Sequence, residues 1–269
     1  MGTDGKLKKL HFILRRIGSA VIAFSGGVDS VLLAKIANDI MGERMLAVTL
    51  TSEFFPQREK LQAIRMAKKI KIKHLIRNLR LPGIVMKNTE ERCYRCKRTI
   101  FSYLSRIARE RGYRCVIEGS NLDDLRDFRP GRRAIEELNI RSPLQEAGFT
   151  KAEIRSLSQR MGLETWDKSS FSCLATRIAY RERITRQKLK QIEKAELFLN
   201  KLGLRNVRFR LHGDIGRIEV VQDKILLLYK NGSKIAKKLK PLGVRYVCLD
   251  LEGYRSGSMN EALKWKKKK

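Results

Sequence analysis

Short apolar runs of strand length alternate with amphipathic stretches of helix length through the first half of the chain. This alternation restricts the fold more than any other feature. The runs are SAVIAFS (19–25), RMLAVTL (44–50), KHLIRNL (73–79) and YRCVIEG (113–119), and stretches such as VLLAKIANDIMG and QREKLQAIRMAKKIK lie between them. Strands separated by helices pair in parallel, because each crossover must return the chain to the same end of the sheet. The helices then cover both faces, which predicts an α/β fold with a doubly wound parallel sheet. A chain of 269 residues that is 42% hydrophobic has the material for such a core. Its apolar runs fall short of the ~20 residues that a membrane-spanning helix needs. The charged start MGTDGKLKKLHFILRRIGS has no small-residue cleavage site, so a cytoplasmic location and no membrane partner are expected.

A helix start is predicted at Thr150, where Glu153 stands three residues on and completes a capping box. The pattern changes after Leu163. WDKSSFSCLATRIAYRERIT is short on periodicity and reads as a connection. A helix over RQKLKQIEKAELFLNKLG, two paired strands in NVRFRLHG and GRIEVV, a helix across KILLLYKNGSKIAKKLKPLG and a strand RYVCLDL follow. The chain is therefore expected to divide into a larger domain over residues 1–168 and a smaller C-terminal α+β domain over residues 169–269 that ends in a lysine run.

Between the first strand and the helix after it stands Ser25-Gly26-Gly27-Val28-Asp29-Ser30. Glycines let a backbone turn with positive φ and come close to a ligand. The N–H groups at a helix start suit a phosphate. No lysine follows the glycines, so this is not a P-loop, and the spacing is not that of a dinucleotide fingerprint. On residue types alone, Asp29 and Ser30 could also be plain helix caps. The hexapeptide resembles the PP-loop of the ATP pyrophosphatases. That resemblance implies that the backbone of Ser25, Gly26 and Gly27 and the hydroxyls of Ser25 and Ser30 cradle pyrophosphate, and that Asp29 helps hold Mg2+.

Further segments narrow the resemblance: EGSNLDDLRDFRPGRRA (118–134), SPLQEAGFTKAEIR (142–155), SCLATRI (172–178), VRFRLHGDIGRIEV (207–220) and LEGYRSGSMNEAL (251–263). In order, and through most of the chain, they are similar to the LarE family of ATP-dependent sulfur transferases. The resemblance implies adenylation of the carboxylates of a pyridinium-3,5-dicarboxylate mononucleotide, followed by replacement of oxygen with sulfur, in biosynthesis of a nickel-pincer cofactor. It implies Ser52, Gly119 and Asp123 as further nucleotide contacts, Cys173 at the sulfur-transfer site and Glu196 in the active site. Arg208 and Arg210 would bind the substrate phosphate with Arg177 as a third basic group, and the subunits would assemble into a homo-oligomer. Asp123, Asp124 and Asp127 follow the fourth strand, at the edge where such sheets bind ligands, and could equally be turn or cap residues. A metal-binding aspartate of some members stands here as Leu227.

The five cysteines are Cys93, Cys96, Cys115, Cys173 and Cys248. An odd count argues against a disulfide framework. Cys115 and Cys248 sit in strand-like runs and are expected as small core residues. Cys93 and Cys96 are three apart near a helix start, hence on one face. With Cys173 they match members of the family in which three thiolates hold a 4Fe–4S cluster and leave one iron open for a sulfide. Two alternatives stay open: Cys173 could give up its own sulfur with an incidental C-x-x-C, or the pair could serve zinc or redox chemistry.

In NVRFRLHG, period two places Arg208 and Arg210 on one strand face, expected to lie away from the core. The formal charge of +31 attracts phosphates at long range and keeps nucleic acid open as a partner. A tRNA thiolase with the same adenylation chemistry is the runner-up. The absence of an added RNA-binding module or zinc ribbon favours a small-molecule mononucleotide, with sulfide or another sulfur donor as co-substrate.

Overall fold

The computed structural model describes residues 2–125, 130–168, 172–204, 206–255 and 257–265. Asp127 and the lysines at 266–269 lie outside them. The chain divides into two compact units, Met1–Pro82 with Cys93–Phe171, and Gly83–Arg92 with Ser172–Lys269.

In the first unit, the described residues form a four-stranded parallel sheet: β1 (Ala20–Ala23), β2 (Met45–Thr51), β3 (His74–Asn78) and β4 (Cys115–Ile117), in the order β3-β2-β1-β4. The four expected strands are all present, and the doubly wound reading holds. Alternation along the strands feeds two separate cores. Ala20 and Ile22 of β1 and Met45 and Ala47 of β2 pack with Leu10, Leu32, Ile36 and Ile154 on one face. Val21, Leu46 and Val48 pack with Phe101, Leu104 and Val116 on the other. The first three strands step outward from β1, and β4 returns to its other side. The winding therefore reverses between β1 and β4, and ligand sites in such sheets form at the carboxyl ends beside that reversal.

The helices Thr3–Ile17, Val28–Met41, Gln57–Lys69 and Lys151–Arg160 and the short Pro143–Glu146 helix all place residues in the first core. The first of these precedes β1, and strand–helix alternation does not single it out. The capping box at Thr150 is formed: Thr150 Oγ1 accepts from Glu153 N at 3.3 Å, and Glu153 Oε2 accepts from Thr150 N at 2.9 Å. Lys6 of the first helix donates to the same Glu153 carboxylate at 2.7 Å, so the cap also ties two helices together.

In the second unit, β5 (Arg208–His212) and β6 (Ile215–Glu219) pair antiparallel, and β7 (Tyr246–Leu249) pairs parallel to β6. The Arg186–Lys201 helix buries Leu189, Ile192, Ala195 and Leu199. The Gly83–Arg92 segment belongs to this unit: Ile184 N donates to Met86 O at 2.9 Å, and Asn88 Nδ2 donates to Ala179 O at 2.7 Å. Two expectations are corrected here. The helix foreseen across 224–243 is broken into Ile225–Lys230 and Gly232–Leu239. Asn231 leaves helical geometry and returns its side-chain amide to Leu227 O at 2.8 Å, and Gly232 adds a helix-propensity cost of about 1 kcal/mol. Cys248 is exposed, not core, because β7 is an edge strand whose Tyr246 and Cys248 face outward. Cys115 is only partly buried, yet it packs on the first core, and burial pushes its thiol pKa up. Among the described residues, no helix is long and apolar enough to cross a membrane.

Thr150→Ala removes the cap hydroxyl and leaves the Glu153 amide without its acceptor. Urea denaturation is expected to show a loss of about 1 kcal/mol, up to ~2 kcal/mol given the coupled Lys6 contact.

Candidate active site

The turn after β1 is held from several directions. Gly26 has φ +71°, and a Cβ there would lie 2.7 Å from Ala63 Cα on the Gln57–Lys69 helix. Only glycine meets both conditions. Gly27 is the N-cap of the Val28–Met41 helix and makes no side-chain cap hydrogen bond. Asp29 and Ser30 lie inside the first turn and do not cap it. The hydroxyls close the turn instead. Ser30 Oγ donates to Gly27 O at 3.1 Å and lies 3.0 Å from Ser25 Oγ, which accepts from Gly27 N at 3.3 Å. With the Ser30 proton on Gly27 O, Ser25 supplies the proton between the two hydroxyls. Below the turn, Thr49 Oγ1 donates to Phe24 O at 2.6 Å and accepts from His74 Nε2 at 2.8 Å. Burial lowers the pKa of His74 and favours its neutral form.

Asp29 faces the β4 loop. Its Oδ2 accepts from Lys151 Nζ at 2.5 Å, and its Oδ1 accepts from Asn121 Nδ2 at 3.3 Å. Gly119, just after β4, comes so close to the helix start that a Cβ would sit 3.1 Å from Ser30 N. Ser25, Gly26, Gly27, Asp29, Ser30 and Gly119 are thus brought together at the reversal. Ser52 follows β2 on the same edge of the sheet, its Oγ accepting from Phe54 N at 3.2 Å. Asp123 accepts from Lys151 N at 2.7 Å and so holds the start of the Lys151–Arg160 helix. Lys151 and Asn121 are site residues that the sequence patterns do not single out. The usable signal is position, since Lys151 directly follows the capping threonine and Asn121 lies two residues past Gly119.

A second constellation lies in the second unit. Cys173 precedes the short 3-10 turn Leu174–Arg177. Arg177 is fully buried. Its Nε and Nη2 donate to the two oxygens of Glu196 at 2.9 and 3.3 Å, and its Nη1 donates to Ser172 O at 2.8 Å and Cys173 O at 3.2 Å. Arg210 Nη1 donates to Thr176 O at 2.9 Å, and Arg92 Nη1 to Ala175 O at 3.1 Å. Three guanidiniums therefore hold the carbonyls around Cys173. Arg208 and Arg210 are each 5% exposed, so the expectation that they lie away from the core is corrected. Their face of β5 is covered by Glu219, which accepts from Arg210 Nη2 at 2.7 Å, by Ser258, and by Tyr254, whose ring centre lies 5.0 Å from the Arg208 guanidinium. Burial first, then the neighbouring charges of Arg177 and Arg210, lowers the Arg208 pKa from its ordinary value. Glu196 also accepts from Phe209 N at 3.2 Å.

Cys93 and Cys96 lie on the first turn of the Arg92–Glu110 helix, both half-buried, and none of the five cysteines is in a disulfide. Tyr94 between them is fixed by the Arg133 guanidinium, 3.6 Å from its ring centre, and by Glu137, which accepts from its hydroxyl at 2.8 Å. Within each unit, no three His, Cys, Asp or Glu side chains among the described residues are grouped to hold a metal ion.

A parallel sheet with S-G-G-x-D-S at its winding reversal and a hydroxyl pair closing that turn defines the PP-loop class of ATP-using enzymes. The NAD synthase family profile matches residues 8–111. An uncharacterised protein of Synechocystis is 39% identical over 265 residues, covering 97% of this chain and 98% of its own. Pyridinium-3,5-bisthiocarboxylic acid mononucleotide synthase of Lactiplantibacillus plantarum is 35% identical over 253 residues, covering 93% and 92%. An uncharacterised protein of Methanocaldococcus jannaschii is 33% identical over 238 residues, covering 88% and 90%. The chain belongs to the LarE family, and it is an ATP-using, sulfur-transferring enzyme.

Glu196→Ala strands the Arg177 guanidinium in a buried site and removes the acceptor of Phe209 N. Denaturation is expected to show a loss of roughly 3–5 kcal/mol. Glu196→Gln, which retains one acceptor oxygen, is expected to lose less.

Proposed function

We propose that this enzyme activates a carboxylate of a pyridinium dicarboxylate mononucleotide with ATP and exchanges its oxygen for sulfur, giving a thiocarboxylate. The reading rests on the Ser25–Ser30 turn, where two hydroxyls and first-turn amides without a capping side chain face the carboxyl edge of the sheet. The substrate class comes from the Lactiplantibacillus relative, which by its name makes a pyridinium-3,5-bisthiocarboxylic acid mononucleotide. A carboxylate alone is a poor acyl donor, because its leaving group would be oxide. Attack of its oxygen on the α-phosphorus of ATP expels pyrophosphate and leaves an acyl-adenylate. A sulfur nucleophile then displaces AMP. The turn's task is to receive the leaving pyrophosphate, where the Ser25 and Ser30 hydroxyls and the helix N-terminus offset its growing charge.

Asp29 fits a Mg2+ role, since its carboxylate already holds the Lys151 ammonium and sits beside the proposed anion site. When bound, Mg2+ neutralises phosphate charge there. Arg208 and Arg210 are assigned to the substrate phosphate. In support, Arg210 Nε is buried with no hydrogen-bond partner among the described residues, a donor left over for an anion. Arg177 and Glu196 are assigned to positioning, because the Arg177 guanidinium is engaged by Glu196 and by the carbonyls flanking Cys173. We assign Cys93, Cys96 and Cys173 to a 4Fe–4S cluster, which the half-buried i, i+3 thiols of the first helical turn suit. When bound, such a cluster supplies a sulfide on the iron that no thiolate holds.

With ATP, Mg2+, sulfide and the mononucleotide, the enzyme is expected to release AMP and pyrophosphate in equal amounts; production of ADP overturns the reading. Asp29→Asn is expected to lower pyrophosphate release by on the order of 10²-fold. Iron and sulfide analysis after anaerobic purification tests the cluster: Cys93→Ala, Cys96→Ala and Cys173→Ala should each lose it. A fully active, iron-free wild type whose Cys173 loses sulfur in mass spectrometry assigns the sulfur to that side chain instead.

A further inference from the structure

The peptide that joins Gly26 to Gly27 has a dedicated side-chain hold on the face away from the hydroxyl pair. Lys168 Nζ donates to Gly26 O at 3.3 Å and to Glu59 Oε2 at 2.7 Å. Glu59 is 7% exposed and sits on the Gln57–Lys69 helix, one turn before Ala63, the residue against which Gly26 packs. The backbone of Lys168 is itself held, because Arg155 donates to Trp166 O at 2.6 Å and to Lys168 O at 2.7 Å.

This arrangement bears on a specific weakness of the turn. The carbonyl of Gly26 and the N–H of Gly27 belong to one planar trans peptide, so they point in opposite directions. Rotating that peptide changes ψ of residue 26 and φ of residue 27, and both residues are glycines, for which such a rotation meets little steric resistance. The Gly27 N–H now points at Ser25 Oγ, on the hydroxyl side. A cation fixed on Gly26 O holds the carbonyl on the far side and so keeps the N–H on the hydroxyl side. Glu59 keeps the ammonium in place and cancels its charge. A carbonyl oxygen turned toward the hydroxyls would instead repel a phosphate.

We propose that Lys168, held by Glu59, is a positioning residue that locks the Gly26–Gly27 peptide in its anion-accepting orientation. The inference rests on the reading of the turn as the pyrophosphate seat. It explains why an extended lysine beside the anion site carries its own buried carboxylate: the pair acts through the backbone, without contributing net charge to the ligand.

The test is binding of inorganic pyrophosphate with Mg2+, and separately of AMP, to the full chain by calorimetry. AMP lacks the two phosphates that the turn would hold. Lys168→Met is expected to weaken pyrophosphate binding about tenfold or more while AMP affinity stays within about twofold. Lys168→Arg, which can still donate to both oxygens, is expected to restore most of the affinity. Because Lys168→Met takes from the buried Glu59 its 2.7 Å ammonium partner and leaves Arg58 Nε at 3.7 Å, the double variant Lys168→Met with Glu59→Met is measured too. It is expected to unfold near the wild-type urea midpoint and still to bind pyrophosphate about tenfold more weakly. If the double variant is stable and binds pyrophosphate like wild type, the Lys168 role is overturned while the pyrophosphate seat stands. A parallel fall in AMP and pyrophosphate affinity overturns that role as well. If the wild type binds no pyrophosphate at all, both the seat and the lysine's role fall.

Discussion

Backbone packed against backbone at the end of β1 is the constraint on which the nucleotide end of this enzyme depends. On one side, Gly26 lies so near Ala63 that no Cβ fits; on the other, Gly119 meets the amide of Ser30. A turn gripped at this range cannot drift, and so its hydroxyls and amides are placed before any ligand arrives. Pre-placed dipoles stabilise charge that develops in a transition state without reorganising during the reaction. The two polar clusters around the turn follow the same plan. Asp29 takes Lys151 and Asn121, and the Gly26 carbonyl takes Lys168. Lys151 and Lys168 each carry a carboxylate partner, so the turn presents aligned donors rather than isolated cations.

The Lys151–Arg160 helix links these clusters. Its first residue reaches Asp29, its capping glutamate takes Lys6, and Arg155 holds the backbone of the segment that ends in Lys168. One short helix thus fixes the carboxylate side and the carbonyl side of the turn together. A distortion at its start would be felt at both. Lys168 also lies only five positions before Cys173 in the chain.

Much of this is legible in the sequence, and the divide between what is and what is not is physical. Strand alternation points to the parallel sheet, and S-G-G-x-D-S to the turn, because both rest on local rules: side-chain period and the conformational freedom of glycine. The capping box at Thr150 is readable for the same reason. The partners of those residues are not. Lys151, Lys168, Glu59 and Arg92 look like any other charged residue in a chain with 59 lysines and arginines. Their roles come from contacts between residues far apart in sequence, such as the one from residue 168 to residue 26. Arg208 and Arg210 depart from expectation on one point. Period two correctly separates them from Phe209 and Leu211, but it cannot tell a solvated face from one covered by Glu219, Ser258 and Tyr254. Asn231 ends a helix through a side-chain hydrogen bond that hydropathy does not register.

The second unit arranges its charges in another way. Arg92, Arg177, Arg208 and Arg210 are buried there together with Glu196 and Glu219. Among the described buried groups of that unit, guanidiniums therefore outnumber carboxylates two to one. Burying like charges costs free energy; burial first, and then the charges of Arg177 and Arg210, lowers the Arg208 pKa. A layer of this kind is poorly explained by stability alone, since apolar residues of similar volume would often serve as well or better. It is well explained by a ligand that brings negative charge. A phosphate dianion entering the layer would relieve the repulsion between the arginines, and the relief would appear as binding free energy and as added stability of the folded state. The same guanidiniums hold the carbonyls around Cys173. The layer proposed to take the substrate's phosphate and the cysteine proposed to handle sulfur are thus tied to each other by direct hydrogen bonds.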